Sequence, residues 1–505
     1  MQQTVLQAIQ LAFVAMPWVL AFGIPLAAMV ALLIGRRTAI YWVGAYFTML
    51  LYFPSGTYGQ IDAAADSDFY NRATGTFYFS AINVMLFGLA LQAFFARRFR
   101  LPQPVVRHNL LVPALVFLAV FAGNVVVAQS LPLVRWTEVI GPAGLLNVFN
   151  FILAFYVLTS ALREPKDVDR LTTLILVCGV TRGLWGLFRF AALGGDPSNF
   201  YANVQHLDVR LTFFDINDSL IAMLVLFLAG WRLLSGQCKT VIGRFLHQSV
   251  VVLELFIIVF SYRRTAWGGL VLALLLFAFY RPARQRWLLL IGSMSVGLPL
   301  LAYKLAQRTG SARSGGSWLE TALPDVVRNG QFNFTSGRFS ELYAAWLSFS
   351  ESPIWGLGTW GRYDGSRFSE LAWHRGDFGW MHSGMLHIML KSGLIGAAAV
   401  VLVAVLFVAF IRRHLPLMDE SNRCLFLAGA AGMLFMLPNW LVGTPVIEFR
   451  TMQLMALCLA LPYLVAATAP ARTAMALERQ ASPPWVFGIR PLKLRPTVLQ
   501  PYQRG

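Results

Sequence analysis

The chain of 505 residues is 57% hydrophobic and only 13% charged, with a mean hydropathy of +0.61, far from the roughly 25% charged balance of soluble domains. That composition excludes a soluble globular protein and predicts an all-α, polytopic transmembrane helical bundle. The formal net charge of +18 has the sign of a nucleic-acid binder, so the placement of the charges decides what it means.

A transmembrane helix needs about 20 mostly apolar residues, and roughly thirteen segments qualify, each bounded by charge, Pro or Gly. The first, 9–34, ends in Arg36-Arg37 with no cleavage site and reads as a retained span. Spans follow near 39–54, 74–95, 111–132 and 140–162. The next, 171–193, contains Arg182 and Arg189, seven apart and so nearly on one face, where charge is expensive and usually functional. Glu254, inside the span 248–262, is a partner for Arg182, giving either a structural ion pair or the floor of an anion cavity. Arg210 opens RLTFFDINDSL ahead of the span 217–235, with Asp208, Asp215 and Asp218 nearby to orient it or to serve as a base. The spans 248–262 and 265–280 meet at SYRRTAW, with Arg263 and Arg264 in the turn. After 287–303 comes one long polar insertion, and the spans 383–411, 424–441 and 451–468 close the bundle. The organisation is therefore two parts of one bundle, 1–303 and 382–468, separated by a loop domain at 304–381 and followed by a basic tail at 469–505.

An insertion of that length is too long for an ordinary connector. Its start, from Arg308, is small and polar. Its middle predicts a helix over 336–350, capped by Thr335 or Ser336, with Phe339, Leu342, Tyr343, Trp346 and Phe349 on one face and Pro353 ending it. That amphipathic face is expected on the membrane surface or at the bundle mouth. Beyond it, Trp355, Trp360 and Tyr363 alternate with Gly356, Gly358, Gly361 and Gly365 without period, as in an ordered loop.

Short loops rich in Lys and Arg stay in the cytoplasm. Alternating the loops puts Arg36/Arg37, 97–107, 163–170, 232–244, 281–286 and 412–423 on the inner face, and Arg72, Arg135, Arg210, Arg263, Arg264 and Arg450 on the outer one, together with the 304–381 loop. The N-terminus is outward if all thirteen spans hold. The inner loops and the tail carry the whole +18, so topology and attraction to anionic lipid account for the charge and no nucleic acid is implied. Cys178, Cys238, Cys424 and Cys458 show no CxxC or His/Cys spacing, so neither a disulfide nor a metal is expected. There is no P-loop and no GxGxxG after a strand, so no nucleotide cofactor is expected either.

The outer arginines are not explained by topology. Arg210, Arg263, Arg264 and Arg338, which heads the loop helix in TSGRFSELYAAW, share the outer side with His382, at the start of WMHSGMLHIMLKSGLIG where the chain re-enters the membrane. The guanidinium fork binds phosphate oxygens bidentately, and histidine titrates nearest neutral pH. A lipid diphosphate is the matching anion and His382 the matching general base. Plainer roles exist for the same residues: arginines at span ends anchor headgroups, and His387 and Lys391, four apart on one helix face, pack. His206 and His374 are loop residues without supporting context. Trp346, Trp355, Trp360 and Trp380 stack on sugars or form an interfacial belt.

Four elements between 205 and 400 carry a resemblance: RLTFFDIND, SYRRTAW, the run from Gly337-Arg338 through Trp346 to SPIWGLG, and HSGMLHIMLKSGLIG. In order, spacing and placement they resemble the O-antigen ligase and O-antigen/exopolysaccharide polymerase superfamily, membrane glycosyltransferases that use lipid-linked glycans. Ser383 stands where Asn is commoner, and the span count differs from that usual in the ligases. The resemblance implies a bacterial inner-membrane protein with its site facing the periplasm. It implies an inverting transfer without metal or cofactor, from an undecaprenyl-diphosphate-linked glycan to a glycan or lipid A-core acceptor. His382 would activate the acceptor, Arg210 and Arg264 would hold the diphosphate with Arg263 and Arg338, and Arg182, Arg189, Asp208 and Asp215 would support them. The neighbouring arginines would keep His382 neutral. Ligase and polymerase stay open alternatives. A glycan transporter or flippase also accommodates intramembrane arginines, but lacks support from repeats or paired broken helices.

Overall fold

The computed structural model describes residues 39–52, 81–98, most of 136–287, 338–365 and 377–481, with isolated positions between them. Much of the spans read at 9–34, 111–132 and 287–303, residues 303–337 and the chain beyond 481 lie outside that description, as do His206, Asp208 and His374. In chain order the helices are α1 (Ala39–Tyr52), α2 (Ala81–Arg98), α3 (Trp136–Val139), α4 (Leu145–Ala161), α5 (Pro165–Ala192), α6 (Ile216–Leu234), α7 (Val241–Val259), α8 (Arg264–Phe279), α9 (Arg338–Phe349), α10 (Gly384–His414), α11 (Glu420–Val442) and α12 (Phe449–Ala481). Among the described residues, α5, α6, α7, α10, α11 and α12 are long and apolar enough to cross a membrane, and α1, α2, α4 and α8 contain shorter apolar stretches. The chain is an all-α, multi-pass helical bundle.

Local signals account for the helix starts. Glu164 and Asp167 form a capping box at α5 with Pro165 in its first turn. Thr240, Ser383 and Asp419 cap α7, α10 and α11 by accepting from Gly243, Leu386 and Asn422 backbone N–H groups. Arg412, Arg413 and His414 close α10, where the helix dipole favours cations. The span read at 451–468 is part of α12, which continues to Ala481.

Lipid tails are as apolar as leucine, so helices in a bilayer associate through close packing at small residues and through interhelical hydrogen bonds. α6 and α12 are buried almost all round and form the centre, while α7 and α10 leave most of their apolar surface outward. Gly269 of α8 lies on the backbone of α11, where a Cβ would come within 2.1 Å of the Phe435 carbonyl oxygen. Gly429 of α11 lies in the same way on Cys458 of α12, at 2.5 Å. Asn150 of α4 donates to Asn83 of α2 across the interface.

The contacts define two ends of the bundle. At one end Thr212, ahead of α6, donates to Phe260 O (3.1 Å) and Ile257 O (2.9 Å) at the close of α7, and Asn147 at the start of α4 donates to Val446 O (2.9 Å) between α11 and α12. At the other end Arg281 pairs with Glu420 at 2.6 Å, and Gln285 donates to Leu234 O at 2.9 Å.

The loop differs from its sequence reading in two respects. Helix α9 buries Glu341, Ala344, Ala345, Ser348 and Phe349, whereas Tyr343 and Trp346, expected on the same face as Phe349, are 55% and 48% exposed. The physical reason is close approach: the two alanines let α9 lie against Tyr363, Met381 and Leu390, which bulky aromatics would prevent. The glycine-rich stretch after it also contains a two-residue antiparallel ladder, β1 (Tyr363–Asp364) with β2 (Asp377–Phe378), pairing Tyr363 with Phe378.

Candidate active site

The chain returns to the bundle through Met381 and His382, and Ser383 caps α10, so His382 stands immediately ahead of a helix start. Its Nδ1 is 2.8 Å from Glu341 Oε2, and Tyr363 Oη donates to Glu341 Oε1 at 3.1 Å. Burial and the adjacent Glu341 carboxylate push the Tyr363 hydroxyl well above its usual range, so it remains a donor. Trp380 meets the imidazole edge-on, with centroids 5.4 Å apart. The His382 side chain keeps 28% of its surface accessible while Glu341 is sealed. The contacts of His382 are thus the Glu341 carboxylate and the Trp380 ring.

Residues 353–358 secure the helix that carries His382. Gly393 has φ +64, which divides α10 into two half-helices. The chain from Pro353 to Gly358 fills the gap: Leu357 and Gly358 N–H groups donate to Leu390 O (2.8 Å) and Lys391 O (3.1 Å), and Leu394 N donates to Pro353 O (2.8 Å). The backbone groups freed by the break are thereby paired, as burial demands. A Cβ on Gly393 would come within 2.1 Å of Ile354 O, and one on Gly356 within 2.5 Å of the Ser392 and Gly393 nitrogens. The motifs SPIWGLG and KSGLIG are therefore two sides of one backbone contact.

Below this contact, Lys391 Nζ donates to Gly361 O at 2.6 Å, His387 Nε2 bonds to Ala143 O at 2.8 Å, and Arg362 pairs with Glu138 of α3 at 2.8 Å. His387 and Lys391 are both buried and tie α10 to the loop and to the start of α4. Packing is thus what their contacts describe.

The arginines form a second group. The segment 209–215 threads between 195–199 and the end of α7: Asp196 N donates to Leu211 O (3.0 Å), Asn199 Nδ2 to Val209 O (2.6 Å), and Phe214 N to Asp196 Oδ2 (2.9 Å). Arg210 is exposed on this segment. Tyr262, buried at φ +62, makes the SYRRTAW turn and meets Trp267 edge-on. That turn places Arg263 at the N-cap and Arg264 at the first position of α8, both half-buried. Arg263 donates to Phe214 O and lies over the Phe214 ring at 4.5 Å, joining the turn to the Arg210 segment. Arg338 is the first residue of α9, three positions before Glu341.

Arg182 does not meet Glu254. Its Nε and a terminal nitrogen donate to Asp218 Oδ1 at 2.8 and 2.6 Å, because α5 packs on α6 there and the guanidinium lies over Phe213 at 4.7 Å. Glu254 is 0% exposed beside Gly183, with neither carboxylate oxygen hydrogen-bonded among the described residues. Arg189 pairs with Asp196.

Asp215 lies ahead of α6 in the fields of Arg450, Arg263, Glu448 and Asp218. Burial pushes its carboxyl up to about 7 against the pull of the two arginines, with Glu448 and Asp218 adding to the rise. Residues 445–451 connect the two groups. Gly384 at the start of α10 sits on Trp440 and Pro445, while Thr451 Oγ1 is 2.6 Å from Glu448 Oε2 and also bonds Asn217. His382 and the arginine segment therefore share one end of the bundle. Sequence reasoning missed Glu341 and Glu448 and gave Tyr363 and Arg450 no role in the site; the available signal was Glu341, the lone carboxylate of α9.

No curated protein matches the chain. Residues 249–401 match the family model described as O-antigen ligase, a stretch that runs from within α7 through the SYRRTAW turn, α9 and His382 to beyond the α10 break. Over these residues the chain is similar to the O-antigen ligase family.

Proposed function

We propose that the protein transfers a glycan from an undecaprenyl-diphosphate-linked donor to an acceptor sugar hydroxyl, as an O-antigen ligase-type enzyme of the inner membrane working at the periplasmic face. The observation that carries this reading is the accessible His382, inside the stretch matched to O-antigen ligase, at the same bundle end as Arg210, Arg263 and Arg264. In this reading His382 takes the proton of the acceptor hydroxyl. The hydroxyl oxygen bonds to the anomeric carbon with inversion as the bond to the diphosphate oxygen breaks. The electron pair leaves with the diphosphate, and Arg210 and Arg264, assisted by Arg263 and Arg338, take up its charge. Arg182, Arg189 and Asp215 hold the surrounding segments, and the transfer implied by the resemblance needs no metal. A polymerase differs only in its acceptor, a second lipid-linked glycan in place of a lipid A-core.

Purified protein in vesicles, given a lipid-linked glycan and a lipid A-core, tests the reading. A new glycosidic bond with release of undecaprenyl diphosphate supports it. Movement of intact lipid-linked glycan across the bilayer, without a new bond, overturns it in favour of a flippase. Glycan chains lengthened on the carrier lipid assign the polymerase.

A further inference from the structure

A base must present a lone pair to its substrate, and an imidazole has two nitrogens that exchange roles with the tautomer. Glu341 settles which one is available. It is the only carboxylate of α9 and is 1% exposed. One oxygen accepts from Tyr363 Oη, and the other faces His382 Nδ1 at 2.8 Å. An ionised carboxylate only accepts, so the proton of this contact sits on Nδ1 and the lone pair on Nε2, the edge turned away from the sealed carboxylate. We propose that Glu341 is a positioning residue for the transfer: it holds His382 in the Nδ1–H tautomer with Nε2 facing the acceptor hydroxyl, and Tyr363 clamps its second oxygen. The inference rests on the reading of His382 as base. When Nε2 takes the acceptor proton, the imidazolium formed faces the Glu341 carboxylate, which stabilises it; this is the division of labour seen in carboxylate–histidine pairs elsewhere.

Glu341→Gln is the main test. Its amide can donate to Nδ1 and so favour the opposite tautomer, with the proton on Nε2. The expected result is a kcat lower by about 10²–10⁴, the scale on which a misplaced tautomer or a lost base is felt, with KM for the lipid-linked donor unchanged and part of the rate restored in Glu341→Asp. The double variant Glu341→Gln/His382→Ala is expected to be no slower than His382→Ala. ¹⁵N-histidine spectra should show the His382 Nε2 unprotonated in the wild type and protonated in Glu341→Gln. If Glu341→Gln does not fold, Tyr363→Phe, which keeps the carboxylate, and the wild-type spectrum carry the test. The wild-type Nε2 must be unprotonated, and Tyr363→Phe must lower kcat without raising KM. Losses that multiply in the double variant, a defect confined to KM, or a protonated wild-type Nε2 overturns the inference. An active His382→Ala enzyme overturns the functional reading itself, whereas a dead His382→Ala beside a normal Glu341→Gln overturns only the positioning role.

Discussion

Asp215 shows what the bundle end does to a single charge. Its ordinary carboxyl value is 3.8, and in the fold it is pushed up to about 7 by burial. Between these values the folded chain binds more protons at this site than the unfolded one, so stability falls as pH rises from about 4 to about 7. Asp215→Asn should flatten that slope in detergent melting curves and leave the protein at least as stable as wild type at pH 8; a variant less stable at pH 8 contradicts this. Arg182 is the opposite case, a cation matched by Asp218, with side chains 12% and 4% accessible. Removing one partner leaves a buried charge alone, so Arg182→Ala should cost about 3–5 kcal/mol, and replacing both by apolar residues should recover most of it. A stability for Arg182→Ala equal to wild type counts against the pair. Helical spacing put Arg182 and Arg189 on one face, but the identity of the facing helix is a tertiary fact, which is why Glu254 was chosen and Asp218 is the partner. His382 was legible because a capping serine and an apolar run follow it. Glu341 was not, because a lone carboxylate on a helix is ordinarily solvated.

At the scale of elements, α10 is the part on which the site depends. Its hydropathy reads as one long span, yet Gly393 breaks it and the 353–358 segment repairs the break with backbone bonds. The glycines of the two motifs were visible as a pattern, while their reason, two backbones too close for a Cβ, lies between residues more than thirty apart. Gly393→Ala should lower stability by about 1–2 kcal/mol for the left-handed backbone alone. The contact with Ile354 O would add to this and shift His382, so turnover should fall along with the melting temperature. Wild-type turnover and melting in that variant would show that the break is not needed. Helix α9 teaches the complementary point: aromatic spacing picked out Tyr343 and Trp346, but Ala344 and Ala345 decided which face could approach α10.

For the whole molecule, the alternation of basic loops already separated two groups of charges, and the contacts place those groups at opposite ends of the bundle. Arg281, Glu420 and Arg423 meet at one end, and Asp215, Arg263, Glu448 and Arg450 gather at the other. Composition and span length were enough for this architecture, since backbone groups in lipid must be satisfied within helices. The way the loop closes over one end was not legible, because it depends on Glu341, Tyr363 and the repaired break. The most direct test compares glycan transfer by His382→Ala with that of Arg412→Ala, an exposed change at the far end of the same helix. In vesicles with a lipid-linked donor, at equal amounts of folded protein, His382→Ala should lose about 10²–10⁴ in rate while Arg412→Ala transfers as wild type. Transfer by His382→Ala at the wild-type rate would contradict the account.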